Sequence, residues 1–227
     1  MSDTEILVIG AGGIGSLLAD HIVRAFAFSG LSNLSTGNLV ITLMDGDVIE
    51  SRNLPHQQFA YSDDGFKVIA IQKRIIDLTM CEDMNQGRNC VEVVGITKDF
   101  SAETDISKYD LVVIAVDREE PRNIVHTNAK HWLDLRARGD GFVMWSYQDD
   151  LPVLDCMPKL PEGTSTSCQL EEAVETGNIQ FGFALAAAHG AQWIVQWLRG
   201  ASTPPGKMYS IHMGQLPLPE STPELVE

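Results

Sequence analysis

Short apolar runs that end on glycine or on an acid set the frame of this chain. Ile6-Leu7-Val8-Ile9 is a continuous apolar run that stops at Gly10-Ala11-Gly12-Gly13-Ile14-Gly15-Ser16. Such a run reads as a strand buried on both faces. Leu17, Leu18, His21, Ile22, Ala25 and Phe26 then recur at helical spacing, and Ser29 to Asn38 is a Ser/Gly/Asn loop. A second strand, Leu39 to Met44, ends at Asp45. The polar stretch Gly46 to Asp64, with Pro55, is long enough to point to function. Phe66 to Met80 reads as a helix with Val68, Ile71, Ile75 and Leu78 on its apolar side. Cys90 to Ile96 is a third strand, and Leu111 to Val116 a fourth that ends at Asp117. Pro121 suits the first turn of a helix expected to run to about Arg138, before a fifth strand from Phe142 to Tyr147.

The last third differs. Asp149 to Gln169 is a Pro/Gly/Ser/Thr-rich loop, expected to be mobile. A small-residue helix from Phe181 to Leu198 and a short strand near Met208 to His212 follow. The order β-α-β-α-β-β-α-β predicts an α/β fold: a Rossmann-like, doubly wound, mostly parallel sheet with a C-terminal helix and short strand. One nucleotide-binding domain is expected over residues 1–215, with an acidic, Pro-rich tail over 216–227.

Composition narrows the class. At 227 residues and 44% hydrophobic, the chain can bury a sizeable core without staples. A net charge of −15 argues against nucleic-acid or anionic-membrane partners. The polar start Met1-Ser2-Asp3-Thr4-Glu5 is no signal peptide, and Cys81, Cys90, Cys156 and Cys168 show no disulfide spacing, so a reduced, cytoplasmic setting is expected. Gln180, His189, Gln192 and Gln196 interrupt the apolar stretch Ile179–Leu198, which reads as a buried or interface helix, with His189 and Gln192 as satisfied polar groups. Trp132, Trp145, Trp193 and Trp197 read as core or dimer contacts.

The chemistry gathers at the carboxyl ends of the strands, where ligands bind in such sheets. Gly10, Gly12 and Gly15 fit G-x-G-x-x-G between a strand and a helix. The first allows the tight turn, the second lets a phosphate approach, and the third packs helix on strand, while the helix N-terminus faces the anion. Asp45, at the end of strand two, suits a ribose hydroxyl of either a nicotinamide dinucleotide or an adenosine. Asp117 suits a magnesium ligand and a helix N-cap equally.

The segment Asp45-Gly46-Asp47-Val48-Ile49-Glu50-Ser51-Arg52-Asn53-Leu54-Pro55-His56-Gln57-Gln58-Phe59, followed by Gly65-Phe66-Lys67, separates these options. It resembles the ThiF/MoeB/HesA family of ubiquitin-activating-enzyme-like adenylyltransferases, with their glycine turn, D-x-D-x-V-x-x-S-N-L-x-R-Q, G-x-x-K and an acid after strand four. Thr166 to Ala173 looks most like the ThiF-type proteins of bacterial PRTRC gene clusters. The resemblance implies ATP and Mg²⁺ as cofactors and a small ubiquitin-like or sulfur-carrier-like protein as partner, within a homodimer. It places nucleotide contacts on Gly10, Gly12, Gly13, Gly15, Asp45, Asp47, Asn53, Gln57 and Lys67. Catalysis falls to Lys67, Asp117, His56 and Cys168, with Asp117 as the metal ligand.

The chain also departs from that pattern. His56 stands where the motif has arginine, and an imidazole is a poorer phosphate clamp than a guanidinium fork. The first strand begins at once, so an arginine carried on a preceding helix is expected to be missing. Arg52, Lys73 or Arg74 are candidates to compensate, and Arg122 either reaches the pocket or pairs with Glu119. The paired C-x-x-C motifs of a zinc clip are absent, so no structural zinc is expected. Glu171-Glu172-Ala173 looks helical, which would put Cys168 near a helix N-terminus and lower its pKa, against the adjacent acids. Three other readings stay open. One is a degenerate ATP-binding scaffold, favoured by the missing arginines. Another is an NAD(P)-dependent oxidoreductase, disfavoured because its acid belongs about 20 residues after the glycines. The third is a pure interaction protein, which would have no reason to keep Asp45, Lys67 and Asp117 at strand and loop ends.

Overall fold

A computed structural model describes residues 3–34, 37–79, 90–149, 168–170 and 172–218. Its elements are β1 (Thr4–Ile9), α1 (Gly13–Phe28), a single turn α2 (Leu31–Leu34), β2 (Leu39–Met44), α3 (Lys67–Thr79), β3 (Val91–Ile96), β4 (Leu111–Ile114), α4 (Glu119–Asn128), β5 (Trp132–Arg138), β6 (Gly141–Ser146), α5 (Gly182–Leu198), β7 (Lys207–Ser210) and β8 (Gly214–Leu216). The described residues form one eight-stranded sheet in the order β3-β2-β1-β4-β5-β6-β7-β8. The pairs from β3 through β5 are parallel, and β6, β7 and β8 add to β5 antiparallel. This is the doubly wound α/β sheet expected, and its winding reverses between β1 and β4. That reversal opens a crevice at the carboxyl ends of those two strands.

Alternation along each strand sends side chains to two separate cores. Ile6 and Val8 of β1 pack with α1, α3 and α5 on one face, while Leu7 and Ile9 pack with Val125 of α4 and with Phe100, Ile106, Tyr109, Trp132 and Trp145 on the other. Both faces being covered explains why β1 from Ile6 onward, β2 apart from Thr42, and β4 read as apolar runs.

One element expected from the sequence is different. The helix after Asp117 ends at Asn128, with Ala129 in extended geometry, and Trp132–Arg138 forms the additional strand β5. Leu133-Asp134-Leu135-Arg136-Ala137-Arg138 alternates with period two. Pairing with β4 on one side and β6 on the other, and burial of Leu133 and Leu135, override the helical propensity of Leu, Ala and Arg. The short C-terminal strand is likewise a hairpin, β7–β8, paired through Met208 and Leu216.

Helix α5 packs on α1, β5 and β6. A Cβ on Gly190 would lie 2.6 Å from Leu135 and 3.3 Å from Leu18, so its small residues serve close packing within this chain. His189 stacks on Phe142 at 4.7 Å, Trp132, Trp145 and Trp193 are buried, and Trp197 is partly buried against the core. Among the described residues no helix is long and apolar enough to cross a membrane. Cys81, Cys156 and most of the 149–169 loop and 216–227 tail lie outside the described residues.

Candidate functional site at the switch point

The glycine turn joins β1 to α1 at the crevice. Gly10 has φ +97°, a left-handed conformation, and a Cβ there would lie 2.7 Å from the Ala115 carbonyl oxygen and 2.9 Å from Val116 Cγ1. Its bare Cα therefore lets the chain leaving β4 close onto the turn. Gly15 packs tighter still: a Cβ would fall 1.9 Å from Gly10 O. Gly12 is open by comparison, facing only the Gln57 carboxamide at 3.8 Å, and Gly13 lies against Phe183 and the His56 carbonyl. The tight turn at Gly10 and the close packing at Gly15 are as the spacing leads one to expect, and Gly12 is left with room above it.

Asp45 braces this turn. Its Oδ2 accepts the Ala11 N–H at 2.7 Å and its Oδ1 accepts the Asp47 N–H at 2.8 Å. Burial pushes its pKa up, and those two N–H groups oppose the shift. The next segment folds over the site. Glu50 and Asn53 form a reciprocal capping box, in which Asn53 Oδ1 accepts the Glu50 N–H at 2.9 Å. Asn53 is buried, and only its NH₂ end is left to donate to a ligand.

Lys67 is the first residue of α3 and is 6% exposed. Its Nζ donates to Asp47 Oδ2 at 2.7 Å, and its backbone N–H donates to Asp47 O at 3.1 Å. His56, 8% exposed, lies edge-on to Phe183 at 6.3 Å; burial and then the Lys67 charge lower its pKa, so it is a neutral imidazole. Among the described residues, Gln57 Oε1, beside Gly12, and His56 Nδ1 are buried without a hydrogen-bond partner. Orphaned buried polar atoms at a glycine turn suit a ligand that completes them.

Asp117 is exposed on the segment joining β4 to α4. It is not the N-cap of α4: that position is Arg118, and no side chain caps the helix. Arg122 is not a surface pair with Glu119. It is 3% exposed, with Nη1 donating to the fully buried Asp134 carboxylate and Nη2 donating to the Val116 carbonyl. Burial lowers its pKa to about 9, which leaves it charged at neutral pH. Arg136 donates to Asp134 at 2.9 Å and to Glu119 at 3.1 Å, completing a cluster that sequence reasoning missed. Its one sequence signal is the period-two alternation from Leu133 to Arg138.

Cys168 is partly buried against the core, and its carbonyl accepts the Gly139 N–H at 2.8 Å. Among the described residues no helix follows it directly: Glu172–Gly177 form turns, with Glu172 at φ +60°. Burial, the largest effect, pushes the thiol up to about 11, opposite to the lowering that a helix N-terminus would give. Arg52 pairs with Glu50 on the surface at 2.6 Å. Lys73 and Arg74 line a groove of about 560 Å³ with Gln58, Phe59, Ala60, Asp63 and Ala70. Arg74 follows Lys67 by two helical turns, roughly 10 Å along α3.

Fold and site together define a Rossmann-like α/β protein with a glycine-turn, strand-end-acid arrangement at its switch point. The chain belongs to the ThiF family, whose sequence profile matches residues 1–220. It is 30% identical over 125 residues to a Zea mays protein described as adenylyltransferase and sulfurtransferase MOCS3-1, covering 55% of this chain and 24% of the relative. Its fold is similar to that of E. coli MccB in complex with ATP, at TM-score 0.58 and 18% identity over 96% of this chain and 64% of MccB. PaaA is similar at TM-score 0.59 and 15% identity, over 96% of this chain and 64% of that one. At these identities the likeness shows the fold alone, and the chain spans less than two thirds of each of these proteins.

Proposed function

We propose that the chain binds ATP at the Gly10–Gly15 turn and adenylates the C-terminal carboxylate of a small ubiquitin-like or sulfur-carrier-like protein. What supports this reading is a glycine turn braced by Asp45 and packed against the Ala115–Val116 segment that leads to the exposed Asp117, with the charge of the buried Lys67 acting on Asp45. Family membership supports it, as do the solved complex of MccB with ATP and the adenylyltransferase name of the Zea mays relative.

In the proposed reaction, the partner's carboxylate oxygen attacks the α-phosphorus and the bond to the β-phosphate oxygen breaks. An acyl-adenylate forms and pyrophosphate leaves. No general base is needed, because the nucleophile is already ionised. The N–H groups at the start of α1 and the Lys67 ammonium would face the phosphates, Asp45 the ribose, and Asn53 and Gln57 would fix the loop around them. Asp117, an exposed carboxylate in no ion pair among the described residues, suits Mg²⁺ and would hold it, and the ion would neutralise phosphate charge. A homodimer and a cytoplasmic setting belong to the same proposal.

One observation favours a second reading, a nucleotide-binding scaffold without catalysis: a buried neutral imidazole, His56, stands where the family motif has arginine. ATP–pyrophosphate exchange separates the two, assayed with and without a small partner protein ending in Gly-Gly, on the natural chain and Asp117→Ala. Partner-dependent exchange lost in Asp117→Ala supports the adenylyltransferase. ATP binding by calorimetry without exchange supports the scaffold.

A further inference from the structure

The segment that carries Asp117 is held from two sides. From above, Ala115 and Val116 press against Gly10 of the glycine turn, closely enough that a Cβ on Gly10 would collide with both. From below, Arg122 Nη2 donates to the Val116 carbonyl, one residue before Asp117, while Nη1 of the same guanidinium donates to Asp134. Asp134 sits on β5 directly opposite Ile114, the last residue of β4, so the anchor is in the sheet itself. Arg136 fixes the other carboxylate oxygen at 2.9 Å and ties it to Glu119 at the start of α4. Arg118 is tethered more loosely, 3.7 Å from Asp99. The four-charge cluster of Arg122, Arg136, Asp134 and Glu119 balances to zero.

We infer that Arg122, anchored by Asp134, is a positioning residue: a buried strut that fixes the Val116–Asp117 corner against the glycine turn and so presents the Asp117 carboxylate toward a phosphate-bound divalent cation. The inference rests on the reading of Asp117 given above, but the strut has a readout of its own. A lysine in place of Arg122 keeps the charge and one acceptor, yet a single ammonium on a flexible stem lacks the planar fork that reaches Asp134 and Val116 O together. Partners that orient a metal ligand typically alter metal affinity about 10–100-fold when removed.

The test compares the natural chain with Arg122→Lys in two measurements. Amide hydrogen exchange reads the corner directly, without nucleotide. Exchange at residues 115–118 is expected to rise about tenfold while β1 and β2 stay protected, because only the local tether is lost. Calorimetry then reads ATP binding against Mg²⁺ concentration. The Mg²⁺ needed for half-maximal effect is expected to rise about tenfold, with Mg²⁺-free ATP affinity unchanged within about twofold. Unchanged exchange at 115–118, or an increase spread evenly over the sheet, overturns the strut. So does an unchanged Mg²⁺ requirement when the natural chain shows one. If the natural chain binds no ATP, the nucleotide reading fails while the exchange result still decides the strut. Should Arg122→Lys not fold, Asp134→Asn, which leaves the guanidinium in place with a weakened anchor, is read the same way.

Discussion

Lys67 Nζ lies 2.7 Å from Asp47 Oδ2, and the two residues differ sharply in environment: the lysine side chain is 8% exposed and the aspartate 68%. The same pair is also tied through the backbone, Lys67 N–H to Asp47 O. A solvated carboxylate thus holds a buried ammonium at the edge of the glycine turn, and it can be exchanged for another anion with little loss of its own hydration. Lys67→Met is expected to weaken ATP binding roughly 10–100-fold, the loss of one charge-assisted contact to phosphate. Unfolding stability should fall by less than about 1 kcal/mol, because an exposed partner makes the pair weak. Calorimetry and a urea titration on the same preparation check both halves.

Gly12 and Gly15 separate binding from folding. A Cβ on Gly15 falls 1.9 Å from a backbone oxygen that cannot move away, whereas one on Gly12 meets only the Gln57 side chain at 3.8 Å. Gly15→Ala should cost more than about 3 kcal/mol or prevent folding. Gly12→Ala should fold with its melting temperature nearly unchanged and lose nucleotide affinity, because the methyl occupies the approach to the turn. Thermal melts with and without ATP distinguish the two.

His126 sets an acid limit on the fold. Its pKa is lowered from 6.5 to about 4, by burial first and then by the charges of Arg136 and Arg122. Its Nε2 is 3.3 Å from Asp134 but without hydrogen-bond geometry, and two arginines already match that carboxylate, so the proximity does not retain a proton on the ring. A depressed folded pKa means stability that is complete above pH 6.5 and lost as pH falls towards 4, amounting to about 2–3 kcal/mol. In His126→Gln this part of the pH dependence should disappear. Urea midpoints at pH 7, 5.5 and 4.5, taken as the difference between the two chains, measure it.

Cys168 should behave as an inert thiol. With its pKa at about 11, it carries on the order of 100-fold less thiolate at pH 8 than an ordinary cysteine. Iodoacetamide should therefore label the exposed Cys90 long before Cys168, and Cys168→Ala should keep any pyrophosphate exchange. Peptide mass spectrometry follows the first. Rapid labelling of Cys168, or loss of exchange in the alanine variant, would restore a nucleophilic role.

The sequence alone determined what depends on local pattern. Strands β1 from Ile6 onward, β2 and β4 are buried on both faces and are therefore written as apolar runs, broken only by Thr42. The glycine turn needs left-handed backbone at Gly10 and no side chain at Gly15, and those demands surface as G-x-G-x-x-G. Asp45, Lys67 and Asp117 were legible as candidates because each sits at the end of such an element. Only the tertiary structure decided the rest. β5 is a strand because β4 and β6 flank it, and neighbours in space are not written in a seven-residue window rich in helix formers. Asp47 and Lys67 are 20 positions apart and meet through folding of the loop between them. Arg122 and Asp134 pair across a helix–strand boundary that propensity does not locate, and the raised pKa of the Cys168 thiol comes from burial that its neighbours in sequence do not announce. Local geometry leaves its mark on residue type; burial and long-range charge pairing arise only when the sheet assembles.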